Sequence, residues 1–260
     1  MRRLLLLAAL VAVPAAAAAP VPFSPPDEPP SLPTLAQQRA AVTHLAALGR
    51  PVYCGGSSGN AVALTFDDGP GPYTEQVLDE LRAADARATF FVVGNRVADW
   101  PDVARDETYL GAVGDHSWSH PRLTELPRWD VFLELERTRA SVLGAAGRTP
   151  TLWRSPYELH DATVDAVAER LGLLQVLWSV TSGDDQVHPT ARSVARNVIR
   201  GLHPGAIVLL HDIHPWTAAA LPRILRAVTA RHLRAVSVPE LLALDPPEGG
   251  CAFVSAGAGD

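Results

Sequence analysis

The sequence predicts an α/β fold on a mostly parallel sheet, and three observations carry that expectation. From about Pro51 onward, short apolar segments rich in β-branched residues alternate with stretches of helical periodicity. The polar, chemistry-bearing clusters fall directly after the apolar segments, where parallel α/β folds collect their sites. No GxGxxG, phosphate loop or internal repeat interrupts the pattern. A barrel and a doubly wound sheet both satisfy these observations, and 260 residues suit a single domain of either kind.

The chain opens with Arg2 and Arg3, an unbroken apolar run from Leu4 to Val13, and the alanines Ala15 to Ala19. A basic start, a short apolar middle and small residues near a cut predict a signal peptide over residues 1–19. The apolar run is shorter than the roughly 20 residues a spanning helix needs. The mature chain is therefore expected to be secreted, outside the cell or on its wall, with no stable membrane insertion after cleavage. Cleavage removes two positive charges and no acid, so the net charge moves from −6 to about −8. Such a chain has no general attraction for nucleic acid or anionic lipid, and no nucleic-acid partner is expected. A polymer would have to be held by aromatic faces and hydrogen bonds.

Residues 20–50 read as a linker and a short helix. Seven prolines fall between Pro20 and Pro33, and Leu35 to Leu48 places Leu35, Val42, Leu45 and Leu48 at helical spacing. The main domain is expected over 51–248, followed by a tail over 249–260. Within it, Ala61–Phe66 predicts a buried strand and Tyr73–Ala84 a helix with Val77, Leu78 and Leu81 on one stripe. Ala88–Val93 predicts a second strand and Asp130–Leu143 a long amphipathic helix. Asp161 caps a helix striped by Val164, Val167, Ala168 and Leu171, and Gly172 ends it. Further strands are predicted at Leu173–Val180, Ala206–Leu210 and Arg234–Val238, with helices at about Thr190–Gly201 and Pro215–Ala230. The two cysteines, Cys54 and Cys251, flank the domain, and in an exported protein a disulfide between them is expected.

Four clusters carry chemistry. Thr65-Phe66-Asp67-Asp68-Gly69-Pro70 follows the first strand, and its adjacent carboxylates repel each other unless a cation compensates. A solvated turn would also use these residue types. With a metal, one aspartate would be a ligand and the other a base. His116-Ser117-Trp118-Ser119-His120 places two imidazoles four residues apart, facing one way on a helical turn. One carboxylate with two imidazoles makes a three-ligand site with open positions, suited to zinc and also to cobalt, nickel or manganese. In Trp153-Arg154-Ser155-Pro156-Tyr157, Arg154 is a partner for the free aspartate, and the Tyr157 backbone N–H is a candidate oxyanion donor. Ile207-Val208-Leu209-Leu210-His211-Asp212 ends an apolar strand in His211, a candidate general acid, with His214 at the rim. These parts together describe hydrolysis of an acetyl group.

In these motifs the chain resembles the polysaccharide deacetylases of carbohydrate esterase family four. TFDDGP at 65–70, ATFFVVG at 88–94, HSWSH at 116–120, RSPY at 154–157 and LLH at 209–211 stand in the family's order, within Ala61 to Leu242. The resemblance implies an irregular (β/α) barrel of about seven strands, usually with zinc or cobalt. It implies Asp67 as base, Asp68, His116 and His120 as metal ligands, and His211 as the catalytic histidine. It also implies an acetylated polysaccharide as partner, and nothing suggests an obligate protein partner beyond a monomer. The chain departs from the family where a DxxDW pattern is common: Thr181 replaces the first aspartate and Asp185 the tryptophan. Asp184 is left to tune His211. Asp115 and Glu158 stand where asparagine and glycine are usual, and the loop Asp106–Val113 looks shortened. Two rival readings keep this architecture. One is an O-acetyl esterase on acetylated xylan. The other is a carbohydrate-binding protein without catalysis, using Trp118, Trp153, Trp178 or Trp216 as sugar platforms.

Overall fold

A computed structural model describes residues 31–247. The expected signal peptide, most of the proline-rich linker, Cys251 and the tail lie outside these residues, so the structure does not bear on them. Among the described residues the eight strands are β1 (Ala61–Asp67), β2 (Ala88–Val92), β3 (Gly111–Asp115), β4 (Leu152–Trp153), β5 (Leu174–Gln175), β6 (Val180–Thr181), β7 (Ile207–His211) and β8 (Arg234–Val236). Seven run in the order β5-β4-β3-β2-β1-β7-β6, and β8 pairs with β1. Every pairing between these strands is parallel. The segment before β1 bridges Val52 to Val176 and Cys54 to Ala206, tying the β5 side of the curl to the β7 side. The result is a curled half-barrel, which decides between the two sheet architectures the sequence left open.

The helices follow from capping and striping. α1 (Leu35–Ala46) starts at a capping box in which Thr34 and Gln37 satisfy each other's backbone N–H groups. α2 (Thr74–Ala83) buries Val77, Leu78 and Leu81. α3 (Gly94–Asp99) and α4 (Pro101–Leu110) fill the stretch between β2 and β3. α5 (Arg128–Ala146) ends at Gly147, whose φ of 68° is the left-handed cap that glycine adopts without strain. α6 (Ala162–Arg170) is capped by Asp161, as expected. α7 (Ala191–Gly201), α8 (Pro215–Ala230) and α9 (Val238–Leu244) complete the set.

Strand periodicity places the chemistry. Val62, Leu64 and Phe66 of β1 pack outward against α2, α7 and α8. Ala61 and Ala63 point the other way, into a layer shared with Phe91, Leu152, Leu174, Ile207 and Val236 from five other strands. Because side chains alternate along a strand, Thr65 and Asp67 continue that inner face to the C-terminal end of β1. Asp67 is in register with His211 across β7, so both emerge at one end of the sheet.

Four expectations need correction. The predicted strand Leu173–Val180 is two short strands, β5 and β6, and between them Val176 bridges Val52 of the segment before β1. The Arg234–Val238 strand stops at Val236, because Ser237 caps α9 through a capping box with Glu240. Residues 106–113, which looked like a shortened loop, form the end of α4 and most of β3. The HxxxH pair does not lie on a helical turn. Ser117 and His120 have φ of 65° and 59°, so the segment is a loop with left-handed kinks.

Candidate active site

The site is built from the residues that follow β1, β3, β4 and β7. Asp68 leaves β1 with φ 70°, a conformation that aspartate tolerates better than most residues. Its Oδ1 lies 3.5 Å from His116 Nε2 and 3.2 Å from His120 Nε2. The His116 Nδ1 bonds the Arg154 carbonyl at 2.8 Å, which leaves Nε2 for the site. The Ser117 Oγ accepts the His120 N–H at 3.0 Å and fixes the kink that brings the second imidazole back beside the first. Their ring centroids lie 4.9 Å apart.

These residues fit a divalent cation. Ligand atoms of Asp68, His116 and His120 lie within 4.8 Å of one another. Asp68 Oδ1 is buried with no hydrogen-bond partner among the described residues, an expensive arrangement for a carboxylate unless a cation satisfies it. Burial works against the Asp68 charge, yet the His116, His211 and His120 rings and Arg96 hold its carboxyl below the usual range. Burial, with His116 close by, pulls His120 down and favours the neutral ring that a metal needs.

Asp67 is held differently. Its Oδ1 accepts from Arg154 Nη1 at 2.7 Å, and its Oδ2 stands 3.8 Å from His116 Nε2. Arg154 is completely buried. It also donates to Thr65 Oγ1 at 2.8 Å, the Val176 carbonyl at 2.8 Å and the Leu177 carbonyl at 3.1 Å. The guanidinium carbon lies over the Phe91 and Trp178 rings, 4.1 and 5.5 Å from their centroids. Trp178 therefore contacts the residue that holds Asp67. Burial lowers the Arg154 pKa, and Asp67 offsets part of that shift.

His211 ends β7 with its Nδ1 2.8 Å from Asp184 Oδ1, and its backbone N–H donates to Asp184 Oδ2 at 2.8 Å. Burial opposes the charged ring, but the Asp184 hydrogen bond and charge push its pKa up to about 10. The paired Asp184 carboxyl stays below its ordinary value despite burial. Two residues that the sequence reading did not assign to this pair complete it from α8. Thr217 Oγ1 donates to Asp184 Oδ2 at 2.6 Å, and Trp216 Nε1 donates to the Asp184 carbonyl at 2.8 Å. Trp216 also stacks on His214 at 4.7 Å. Their position five and six residues after His211, opening a helix, was the available signal.

Tyr157 sits at φ 61° with its ring centroid 4.6 Å from that of His120, the planes at 66°, and more than half of its surface exposed. That puts the residue beside the imidazole pair, with Arg122 over its other side at 5.1 Å. Asp115 is buried, donates nothing to the cleft, and accepts the Ser117 N–H at 2.8 Å. Burial raises its pKa well above the carboxylate range. Asp212, also missed, bonds Thr74 Oγ1 at 2.5 Å and packs on Gly69, where a Cβ would come within 2.5 Å of its carboxylate. It thereby braces the turn that carries Asp68.

Comparison with known proteins agrees with this geometry. The polysaccharide deacetylase family model matches residues 55–176. The chain is 40% identical over 182 residues to the peptidoglycan-N-acetylglucosamine deacetylase PgdA of Listeria monocytogenes, covering 69% of this chain and 38% of that protein. It thus spans well under half the length of that relative. A family 4 carbohydrate esterase from Streptomyces lividans, solved in complex with acetate, superposes with a TM-score of 0.64 at 36% identity, covering 70% of this chain and 92% of the other. A family 4 pseudoenzyme from Bacillus anthracis superposes with a TM-score of 0.70 at 26% identity, over 75% and 69% of the two chains. On motif order, fold and sequence identity together, the chain belongs to carbohydrate esterase family 4, the polysaccharide deacetylases.

Proposed function

We propose that this chain is a secreted, metal-dependent deacetylase that hydrolyses N-acetyl groups of N-acetylglucosamine polymers, peptidoglycan or chitin. The observation that carries the reading is the meeting of three devices at one sheet end: the Asp68–His116–His120 cluster, Asp67 gripped by Arg154, and His211 gripped by Asp184. Asp68, His116 and His120 would hold the divalent ion, zinc first and cobalt, nickel or manganese as alternatives. When bound, the ion supplies Lewis acidity toward the acetyl oxygen and the attacking water. Arg154 occupies one Asp67 oxygen and leaves the other to take the proton of the water that adds to the acetyl carbon. The Tyr157 backbone N–H is the proposed donor to the oxyanion that develops. His211 enters protonated, since Asp184 keeps it so at neutral pH, and gives its proton to the sugar nitrogen as the C–N bond breaks. Acetic acid and the sugar amine leave, the acid's proton passing to the amine or to solvent, and the proton on Asp67 returns to His211 to close the cycle. Trp178, whose ring packs on the Arg154 guanidinium, is the proposed aromatic contact for substrate.

The N-acetyl preference draws support from the named activity of the Listeria relative. The pseudoenzyme in the same family makes an inactive scaffold a fair rival. Against that rival, the base, the acid and the three ligand residues are all present here. The residue range 51–248 is the proposed catalytic domain, export rests on residues 1–19, and Cys54–Cys251 is the proposed disulfide. The test is acetate release from N-acetylglucosamine oligomers and from acetylxylan, each metal-loaded and after chelation. Chelator-sensitive release from the oligomers is the expected result. Release from acetylxylan alone would replace the amide by the ester, and no release from either by the loaded protein would overturn the reading.

A further inference from the structure

Trp129 is 65% exposed at the start of α5, a large apolar surface left in water. It stacks on Phe132 with centroids 5.0 Å apart and planes at 20°. Together with Val167 and Leu171 at the end of α6, the two rings line a cavity of about 560 Å³. Arg128 and Arg170 complete the lining, and no acid belongs to it. Neither arginine makes an ion pair among the described residues, whereas the nearby Arg122 and Arg139 are matched by Glu125 and Glu136. In a chain of net charge −6, the lining thus sets two guanidiniums and no carboxylate beside an exposed aromatic face.

We propose that this cavity is a second binding site, separate from the catalytic cleft, for a glycan strand that carries carboxylates. The chemistry of the lining selects that class. An indole face presents a flat apolar surface to the C–H face of a sugar ring while its edge remains polar. A guanidinium matches a carboxylate through paired N–H donors. An acidic polymer is repelled by the chain as a whole, so its capture needs cations placed where it docks. The choice of a glycan over another acidic polymer rests on the deacetylase reading. The position also suits a long strand. Trp129 follows His120 by nine residues, so the two lie at most about 30 Å apart by chain reach. The same connection carries Arg122, stacked on Tyr157 at the cleft. A strand held at Trp129 would thus be delivered along the loop that leads to the proposed metal ligands.

The test measures binding by the metal-depleted full chain, so that it does not depend on turnover. The probes are peptide-free peptidoglycan strands, whose lactyl carboxylates are exposed, and neutral N-acetylglucosamine oligomers of matched length, in titration calorimetry at low and high salt. The expected result is salt-sensitive binding of the acidic strand, weakened at least tenfold in W129A and made salt-insensitive in the double variant R128Q/R170Q. Melting temperatures near that of the parent chain establish that the variants are folded. Unchanged binding in W129A would overturn the site, and equal, salt-insensitive binding of the neutral strand would overturn the ligand class. The two readings fail separately: strand binding that depends on Trp129 without acetate release sinks only the enzyme, and acetate release without it sinks only this site.

Discussion

Replacing Asp184 by Asn tests the pair that prepares His211. In the parent chain both Asp184 oxygens are engaged, by the His211 ring, the His211 N–H and the Thr217 hydroxyl. Asn keeps the shape and an acceptor but removes the charge. His211 stands at about 10 because Asp184 outweighs burial, with smaller help from Asp67 and Asp68. Without the carboxylate, burial brings the ring down toward its ordinary value of about 6.5. A displacement of that size corresponds to roughly 5 kcal/mol at most, since the other two aspartates keep a share. The direction in pH follows from linkage. His211, raised in the folded state, contributes stability fully below about pH 6.5 and loses it as pH rises through about 10. Asp184, lowered, contributes above its unfolded value of 3.8 and loses it as pH falls through the folded one. The pair therefore stabilises most between about pH 4 and 6.5. The assay is an imidazole NMR titration of the metal-depleted chain, with urea unfolding at pH 6 and pH 10. The parent ring should titrate near 10 and the D184N ring well below it, and the stability gap between them should shrink at the higher pH. At pH 8 a smaller share of the D184N ring would be protonated, so turnover that draws on the proposed acid should fall. A D184N ring that still titrates near 10 would refute this account.

Asp68→Ala removes the proposed central ligand, and equilibrium dialysis should show metal content and turnover falling together; surviving turnover would move the metal elsewhere. Arg154→Met leaves Asp67 buried without its cation and should cost about 3–5 kcal/mol in urea unfolding. Gly69→Ala forces a methyl against the Asp212 carboxylate, which Thr74 already pins, and should cost about 1–3 kcal/mol with weakened metal binding. If Cys54 and Cys251 are paired as proposed, denatured protein should bind no thiol reagent until a reductant is added.

The fold was legible where local signals are strong. Asp161 with its stripe, the alternating residues of β1 and the capped Thr190 helix each state their structure within a few residues. The misreadings fall where long-range pairing decides. β5 and β6 are two residues each and exist because β4 and β7 offer partners, so no local periodicity separates them from the apolar residues between. α3 and α4 are short, and only Pro101 at the first turn of α4 marks the boundary. The HxxxH pair was assigned a helical turn because four-residue spacing favours one. The actual kink depends on the Ser117 hydroxyl and on Asp115, which is buried and accepts the Ser117 N–H. A buried carboxyl in that role cannot be told from a surface one by sequence.

The same distinction explains why the departures around Thr181 do not dismantle the site. Read as a linear motif, the stretch from Thr181 to Asp185 has lost two of its usual residues, and Asp184 alone is left to support His211. In space the support comes from elsewhere. Asp184 is fixed by the His211 N–H at the end of β7 and by the Thr217 hydroxyl and the Trp216 indole at the start of α8. Thr181 donates nothing to that carboxylate; its Oγ1 accepts the Gly183 N–H. The first turn of α8 is therefore what holds Asp184 in place, and the identity of residues 181 and 185 is freed from that duty. Substitutions at those two positions should change the rim of the cleft, while substitutions at Thr217 should change the Asp184–His211 pair.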